Sequence, residues 1–380
     1  MIRAAETIFY MTIIFIFIAY LFYPLLILII SLIKKKIIWP TTKELPSLAF
    51  LISVYNEEKI IGKKIENTLN LNYPKSKLKI YIVSDASTDE SDTIIQAYAD
   101  KESHINFYSL PSRLGKNGGI NFVRDHIKED IIVFSDANSF YDKDALIQLV
   151  QPYANSVIGS VIGDLTFTNI NEFNISETEN TYWRIERLIK KLESKVGKVI
   201  IGNGAILSIR RQFLQPIPPE IANDLYLPLL IRNKGYNVIF NFKAKAFENS
   251  SVNSAEEYRR KVRIITRGIT ALFSTFKITK LWLWLQLLLR KALRWFVGYA
   301  LILLYLCNLF LINEHVIFNI SFYLQNLLYL MALLYRLNLK FKIGSYAFYF
   351  CLINFAGIIG TLNGFFGRKI KTWNIPSSTR

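Results

Sequence analysis

The sequence predicts an α/β protein, a mainly parallel sheet with helical crossovers, flanked at both ends by membrane-spanning helices. Three observations carry this. Strand-length apolar runs alternate with helical patterns from Leu48 onward. Two of those runs, Lys79–Val83 and Asp130–Phe134, end abruptly in the polar clusters Ser84-Asp85-Ala86-Ser87-Thr88-Asp89 and Ser135-Asp136-Ala137-Asn138-Ser139. Ile8 to Ile33 contains no charged residue. At ~1.5 Å per residue it covers roughly 39 Å, more than a ~30 Å hydrocarbon core.

That first apolar stretch lacks a small-residue cleavage site, so it reads as a retained helix with Pro24 as a tolerated kink. Pro40 and Pro46 flank a polar linker, Thr41 to Leu45. Leu48–Val54 reads as a strand, and Asn56-Glu57-Glu58 as the opening of a helix whose first turn favours carboxylates. Asn72-Tyr73-Pro74 ends that helix before the Lys79 strand. A helix over Ser91–Lys101, a strand over Ile105–Leu110 and a glycine-rich turn, Gly115-Lys116-Asn117-Gly118-Gly119, follow. The rhythm is that of right-handed βαβ units, in which ligands bind beyond the carboxyl ends of the strands.

Farther on, the pattern gives a helix over Ala145–Tyr153, a strand over Ser160–Thr168 and an amphipathic helix over Glu177–Lys195. Gly202-Asn203-Gly204 turns into a strand, Ala205–Ile209; Asp224–Asn233 is helical around Pro228, and Glu256–Thr275 is a basic helix. Leu281–Arg294 mixes tryptophans with cations, as a helix lying in the membrane interface would. Trp295–Asn313 and Val316–Tyr335 are long enough to span, with Glu314-His315 between them. Ile343–Phe366 is expected to be shallow or re-entrant, since a crossing would place Arg368, Lys369 and Lys371 outside. The expected units are an anchor (1–38), an α/β domain (46–276) and a membrane-associated C-terminal part (277–380).

Composition agrees. Hydrophobic residues make up 52% of the 380, and mean hydropathy is +0.25. The net charge of +17 sits largely beside apolar stretches, at Lys34, Lys35 and Lys36 and at the C-terminal cluster. This is the pattern of juxtamembrane cations facing anionic lipid, not of a nucleic-acid-binding module. Cys307 and Cys351 lie in apolar stretches and read as buried small hydrophobes. The three histidines have no metal-ligand spacing, so a metal would be held by oxygen ligands.

Val54-Tyr55-Asn56-Glu57-Glu58, Ser84-Asp85-Ala86-Ser87-Thr88-Asp89, Asp136-Ala137-Asn138 and Asn223-Asp224-Leu225 follow one another in the order and spacing of family 2 glycosyltransferases. With its flanking apolar segments the chain resembles the membrane-integrated branch that includes cellulose, hyaluronan and poly-N-acetylglucosamine synthases. The resemblance covers about Leu48 to Leu272. It implies a GT-A fold, a nucleotide-diphosphate sugar donor (a UDP-sugar first), Mg²⁺ or Mn²⁺, and inversion at the anomeric carbon.

Carried over residue by residue, the resemblance makes Asp224 the base. It places Val54, Asn56, Glu57, Asp85, Lys116, Asp136 and Arg263 around the donor, and Asp136 with Asn138 on the metal. The chemistry suits the residue types: a carboxylate can take the acceptor proton, and a hard cation offsets charge on the departing diphosphate. The chain departs from the family at several positions. Ser84 and Ala86 replace Asp and Gly, which predicts a looser loop. Asn138 replaces a metal-binding Asp, which predicts weaker metal binding, and Asn223 replaces Glu. At Arg260-Lys261-Val262-Arg263-Ile264 the family has Gln-X-X-Arg-Trp, so the aromatic platform for a growing polymer is missing. Arg259, Arg260, Lys261 and Arg263 could alternatively form a solvated or lipid-facing basic face, and Asp164 either faces the sugar or is a solvated surface position, the latter favoured. The expected activity is sugar transfer to a polysaccharide, glycolipid or lipid-linked acceptor, by a multi-pass plasma-membrane protein with a cytoplasmic catalytic domain. The alternative is a degenerate domain that binds nucleotide sugar and regulates a membrane partner.

Overall fold

The computed structural model describes residues 1–40, 44–168, 175–249, 254–273, 278–339, 341–368 and 370. Lys369, Lys371 and part of the polar linker lie outside these. The core is one sheet of eight strands: β1 (Leu48–Val54), β2 (Leu78–Ser84), β3 (Ile105–Ser109), β4 (Ile131–Asp136), β5 (Phe140–Tyr141), β6 (Ile158–Phe167), β7 (Leu207–Arg210) and β8 (Asn237–Glu248). Their order is β3-β2-β1-β4-β7-β6-β8-β5. β3, β2, β1 and β4 are mutually parallel, β7 runs antiparallel between β4 and β6, and β5 runs antiparallel to β8. The sheet is therefore mainly parallel, and its central strands are apolar on both faces because helices cover both.

β8 is a strand that the sequence reading left unassigned. Its first half, Val238 to Phe240, is buried and shows no alternation, whereas Lys243 to Ala246 alternates exposed with buried. A bulge between Gly163 and Asp164 shifts its register against β6, as bulges near functional sites do.

The N-terminal helix Ile2–Ile33 is apolar enough to cross a membrane, as are Val316–Arg336 and Lys342–Phe365. A π-helical turn at Ile18–Phe22 lies directly before Pro24, which sits in the first turn of Tyr23–Ile33, and absorbs the proline. Leu281–Trp295 and Val297–Phe310 meet at a bend of 56° and together could make a fourth, broken span. The first of these two is not a simple interfacial helix. A second π-helical turn, Leu288–Ala292, turns Arg290 inward, where it is fully buried.

Lys342–Phe365 is one unbroken helix of 24 residues. It packs on Ser254–Phe273, and Cβ atoms at Gly360 and Gly364 would collide with Ile265 and Ile269. Small residues are what allow this close approach, and the Thr266 hydroxyl donates to the Gly360 carbonyl at 3.2 Å.

A buried ionic network ties these helices to the Ile175–Lys195 helix. Arg290 donates to Glu186 (2.6 and 3.1 Å) and to Glu193 (3.0 Å), and Arg294 donates to Glu186 at 2.9 Å. Tyr23 donates to Glu193 at 2.6 Å and accepts from Gln286 at 2.9 Å. The two guanidinium groups hold the Glu186 carboxyl well below the usual range in spite of burial.

Candidate active site

The carboxyl ends of β1, β2 and β4 deliver Val54, Asp85 and Asp136 to one cleft of about 360 Å³. Glu57, Lys116, Asn138, Asp224 and Arg263 line the same cleft. Stretches far apart in sequence thus converge at the sheet edge where an α/β fold binds ligands.

Asn56 is not among the lining residues. It sits at φ +51, its amide nitrogen donates to the Thr88 hydroxyl (3.1 Å), and its carbonyl accepts the Thr88 N–H (2.8 Å). These bonds fasten the β1 loop to the β2 loop. The β2 loop is tied down rather than loose: Ser84 and Ser87 share a hydrogen bond of 2.8 Å, and Ser87 accepts the Asn56 N–H at 3.1 Å. Ala86, which stands where the family has Gly, is held at φ +56, a strained region for a residue with a Cβ.

Asp85 accepts the Leu114 N–H at 2.6 Å and the Gly115 N–H at 3.0 Å. Burial pushes its carboxyl pKa up, against those two bonds and the Arg113 charge. Arg113 stacks 3.6 Å over the Tyr55 ring and lines the cleft beside Asp85. This Tyr55–Arg113 stack was not read from the sequence. Glu57 is buried at the cleft wall, and its backbone N–H donates to the Ser91 hydroxyl at 2.8 Å.

Lys116 pairs with Asp136 and donates to the Gly204 carbonyl at 3.0 Å. Behind them, Lys64 is wholly buried, lies 4.5 Å over the Tyr141 ring and donates to the Ser139 carbonyl. The Ser139 hydroxyl donates to Glu248, at the end of β8. Burial, and next the charge of Asp136, push the Glu248 carboxyl up to about 7, while burial brings the Lys64 ammonium down to about 7. Neither Lys64 nor Glu248 carried a sequence signal, since their roles depend on β8.

Among the described residues no three acidic, histidine or cysteine side chains group as a metal site. Asp136 and Asn138 nevertheless offer a carboxylate and an amide oxygen to the cleft, with Glu248 on the same wall. Such a sparse oxygen set fits a cation that takes several of its ligands from a diphosphate.

Asp224 lies in the first turn of Asn223–Asn233, a helix fixed from two sides. The Asp224 carbonyl accepts the Gly202 N–H at 2.7 Å. Arg267 clamps the preceding loop through the carbonyls of Pro219 (3.2 Å), Glu220 (3.2 Å) and Ile221 (2.7 Å). Asp224 is one of the carboxylates that act on the charges of Lys190, Arg263, Arg267 and Lys291. Arg263 feels both Asp136 and Asp224, and burial brings its pKa down to about 10.

Arg259 is exposed, but the rest of the basic segment is not a solvated face. Lys261 packs over the Tyr182 ring at 4.7 Å and pairs with buried Glu257 at 3.3 Å; Arg260 pairs with Glu257 at 2.7 Å. Ile264 lines the cleft and is 37% exposed. Asp164 is bound by Arg187 at 2.7 Å rather than solvated.

Residues 49–216 match the family described as Glycosyl transferase family 2. A probable glycosyltransferase of Bacillus subtilis is 26% identical over 234 residues, which are 58% of this chain and 55% of that protein. A beta-monoglucosyldiacylglycerol synthase of a Nostoc strain is 26% identical over 174 residues, 45% of this chain and 37% of that protein. The chain spans about half or less of the length of these curated relatives. Its structure is similar to that of a mannosyltransferase from Pyrobaculum calidifontis, solved with GDP-Man and Mn²⁺: the TM-score is 0.74 at 19% identity, over 95% of this chain and 99% of that one. The architecture is thus GT-A-like, and residues 49–216 are similar to glycosyl transferase family 2 domains.

Proposed function

We propose that this protein is a membrane-bound inverting glycosyltransferase of the membrane-integrated branch, moving a sugar from a nucleotide-diphosphate donor to a glycan or lipid-linked acceptor. The observation that carries this reading is the convergence of Asp85, Lys116, Asp136, Asp224 and Arg263 on a single cleft. The nucleotide would lie along the β1 and β2 ends, near Val54, Glu57, Asp85 and the Tyr55–Arg113 stack. The diphosphate would meet Lys116 and Arg263. Asp136 and Asn138 would hold Mg²⁺ or Mn²⁺, which when bound offsets charge on the leaving diphosphate. Asp224 would accept the proton of an acceptor hydroxyl, and the Arg267 clamp would keep it in position. Three helices apolar enough to span, and a fourth if the bent pair counts as one, support a multi-pass topology; the catalytic face would be cytoplasmic, as the cations Lys34, Lys35 and Lys36 after the first helix favour.

Turnover of UDP- and GDP-sugars in purified membranes with Mn²⁺ or Mg²⁺, for wild type beside Asp224→Asn, tests the reading. Use of one donor, lost in the variant, is expected. Metal-dependent nucleotide binding without turnover of any donor, even with membrane acceptors present, would overturn it.

A further inference from the structure

The cleft has a second cationic end. Lys190 comes from the Ile175–Lys195 helix and is 5% exposed; its ammonium donates to the Gly202 carbonyl at 3.3 Å. Gly202 in turn donates to the Asp224 carbonyl at 2.7 Å, so Lys190 is held beside the Asp224 backbone. Lys291 comes from the π-helical turn of Leu281–Trp295, the helix that leads into the apolar Val297–Phe310 segment. It lines the cleft, and among the described residues its ammonium has no hydrogen-bond or ion-pair partner. Asn223, which lines the same cleft, is 5% exposed, and its side-chain N–H₂ is buried with no partner among the described residues. The acids here are already engaged: Glu186 is taken by Arg290 and Arg294, and Glu193 by Arg290 and Tyr23. Asp224, and Glu186 already shared with Arg290 and Arg294, face these ammonium groups.

This end differs from the one at Asp136. Lys116 is bonded to Asp136, whereas Asp224 and Glu186 are the acids that act on both Lys190 and Lys291. Arg263, which feels both Asp136 and Asp224, stands between the two ends. A buried ammonium group, a second that is half-buried, and an unsatisfied amide donor make a strong site for a phosphate. Lys291 places that site on the wall built by a membrane-entering helix.

We propose that Lys190, Lys291 and Asn223 form an acceptor subsite for the phosphate of a lipid-linked acceptor, holding it so that an acceptor hydroxyl meets Asp224. The inference rests on the glycosyltransferase reading and narrows its acceptor to phosphate-bearing lipids. A free phosphate compound presents the same headgroup, so the lipid must be tested as well.

The full chain in detergent micelles is titrated with farnesyl phosphate, farnesol and inorganic phosphate, and separately with UDP and GDP in Mn²⁺. Lys190→Gln and Lys291→Gln should each weaken farnesyl phosphate binding about tenfold or more. The same variants should leave nucleotide diphosphate affinity within about twofold. Lys190→Arg and Lys291→Arg should restore farnesyl phosphate binding, which separates charge from folding. Wild type should bind farnesol and inorganic phosphate far more weakly than farnesyl phosphate. Equal binding of farnesol and farnesyl phosphate would overturn the phosphate subsite, and equal binding of inorganic phosphate would overturn its lipid character. Loss of nucleotide affinity in the glutamine variants would reassign both lysines to the donor. Absence of nucleotide binding by the wild type would instead count against the enzyme reading.

Discussion

Lys116 and Asp136 form an ion pair at the centre of the cleft, and the same ammonium donates to the Gly204 carbonyl at 3.0 Å. One side chain thus joins the helix after β3 to the end of β4 and to the turn before β7. A diphosphate with its cation would compete for both partners, so the pair has to open or rearrange as donor enters.

Lys116→Gln should therefore weaken nucleotide diphosphate binding about tenfold or more, from loss of a charge-assisted contact. Asp136→Ala should remove the dependence of nucleotide affinity on Mn²⁺. Titrations with and without the metal read both effects; identical curves for wild type and Asp136→Ala would refute the metal assignment.

Asp224→Asn should lower transfer by about 10²–10⁴-fold, the range of a positioned general base, while nucleotide binding persists. Arg267→Ala should lower kcat more than it raises the donor KM, because it releases the Pro219–Ile221 loop without touching the β1 and β2 ends. A change confined to KM would show that Arg267 contacts the donor.

Ala86→Gly should stabilise the protein by roughly 1 kcal/mol, since it removes a Cβ from a left-handed backbone position. A thermal shift upward in detergent would show it, and no shift would mean that the strain is relaxed in solution.

Glu248 gives a pH dependence. Its folded pKa of about 7 exceeds the unfolded carboxyl value, so the native state binds the extra proton between roughly pH 4.5 and 7. The stability that this proton contributes is fully present below that window and is lost as pH rises through about 7. Glu248→Gln should flatten this part of the stability profile. Burial pulls Lys64 down to about 7 as well, and it acts above that pH: its uncharged form favours the native state increasingly as pH rises toward the unfolded lysine value.

Much of the site was legible because strand ends carry it. Asp85 and Asp136 follow apolar runs whose length and abrupt end define a parallel-sheet edge, and Asp224 follows a turn and opens a helix. The Lys64–Ser139–Glu248 chain was not legible. It depends on β8 lying across the sheet, and β8 is too fully buried in its first half to alternate. Asp164 read as a solvated position because its partner, Arg187, lies on another element. Lys291 and Arg290 sat in a stretch whose tryptophans and cations spelled an interfacial helix; only the π-helical turn shows that Arg290 faces inward. The direct Gly360–Ile265 contact was likewise hidden, since small residues in an apolar run fit either a shallow or a crossing helix.

The Tyr23–Glu193–Gln286 network has a consequence for biosynthesis. Tyr23 leaves the ribosome early, Glu193 midway and Gln286 with Arg290 late, so the buried carboxylate waits for its guanidinium until the α/β unit is already made. Breaking such a buried pair by removing one partner costs about 3–5 kcal/mol. An excised catalytic unit would therefore carry a naked acidic seam, and the C-terminal helices act as a clasp that closes the molecule last.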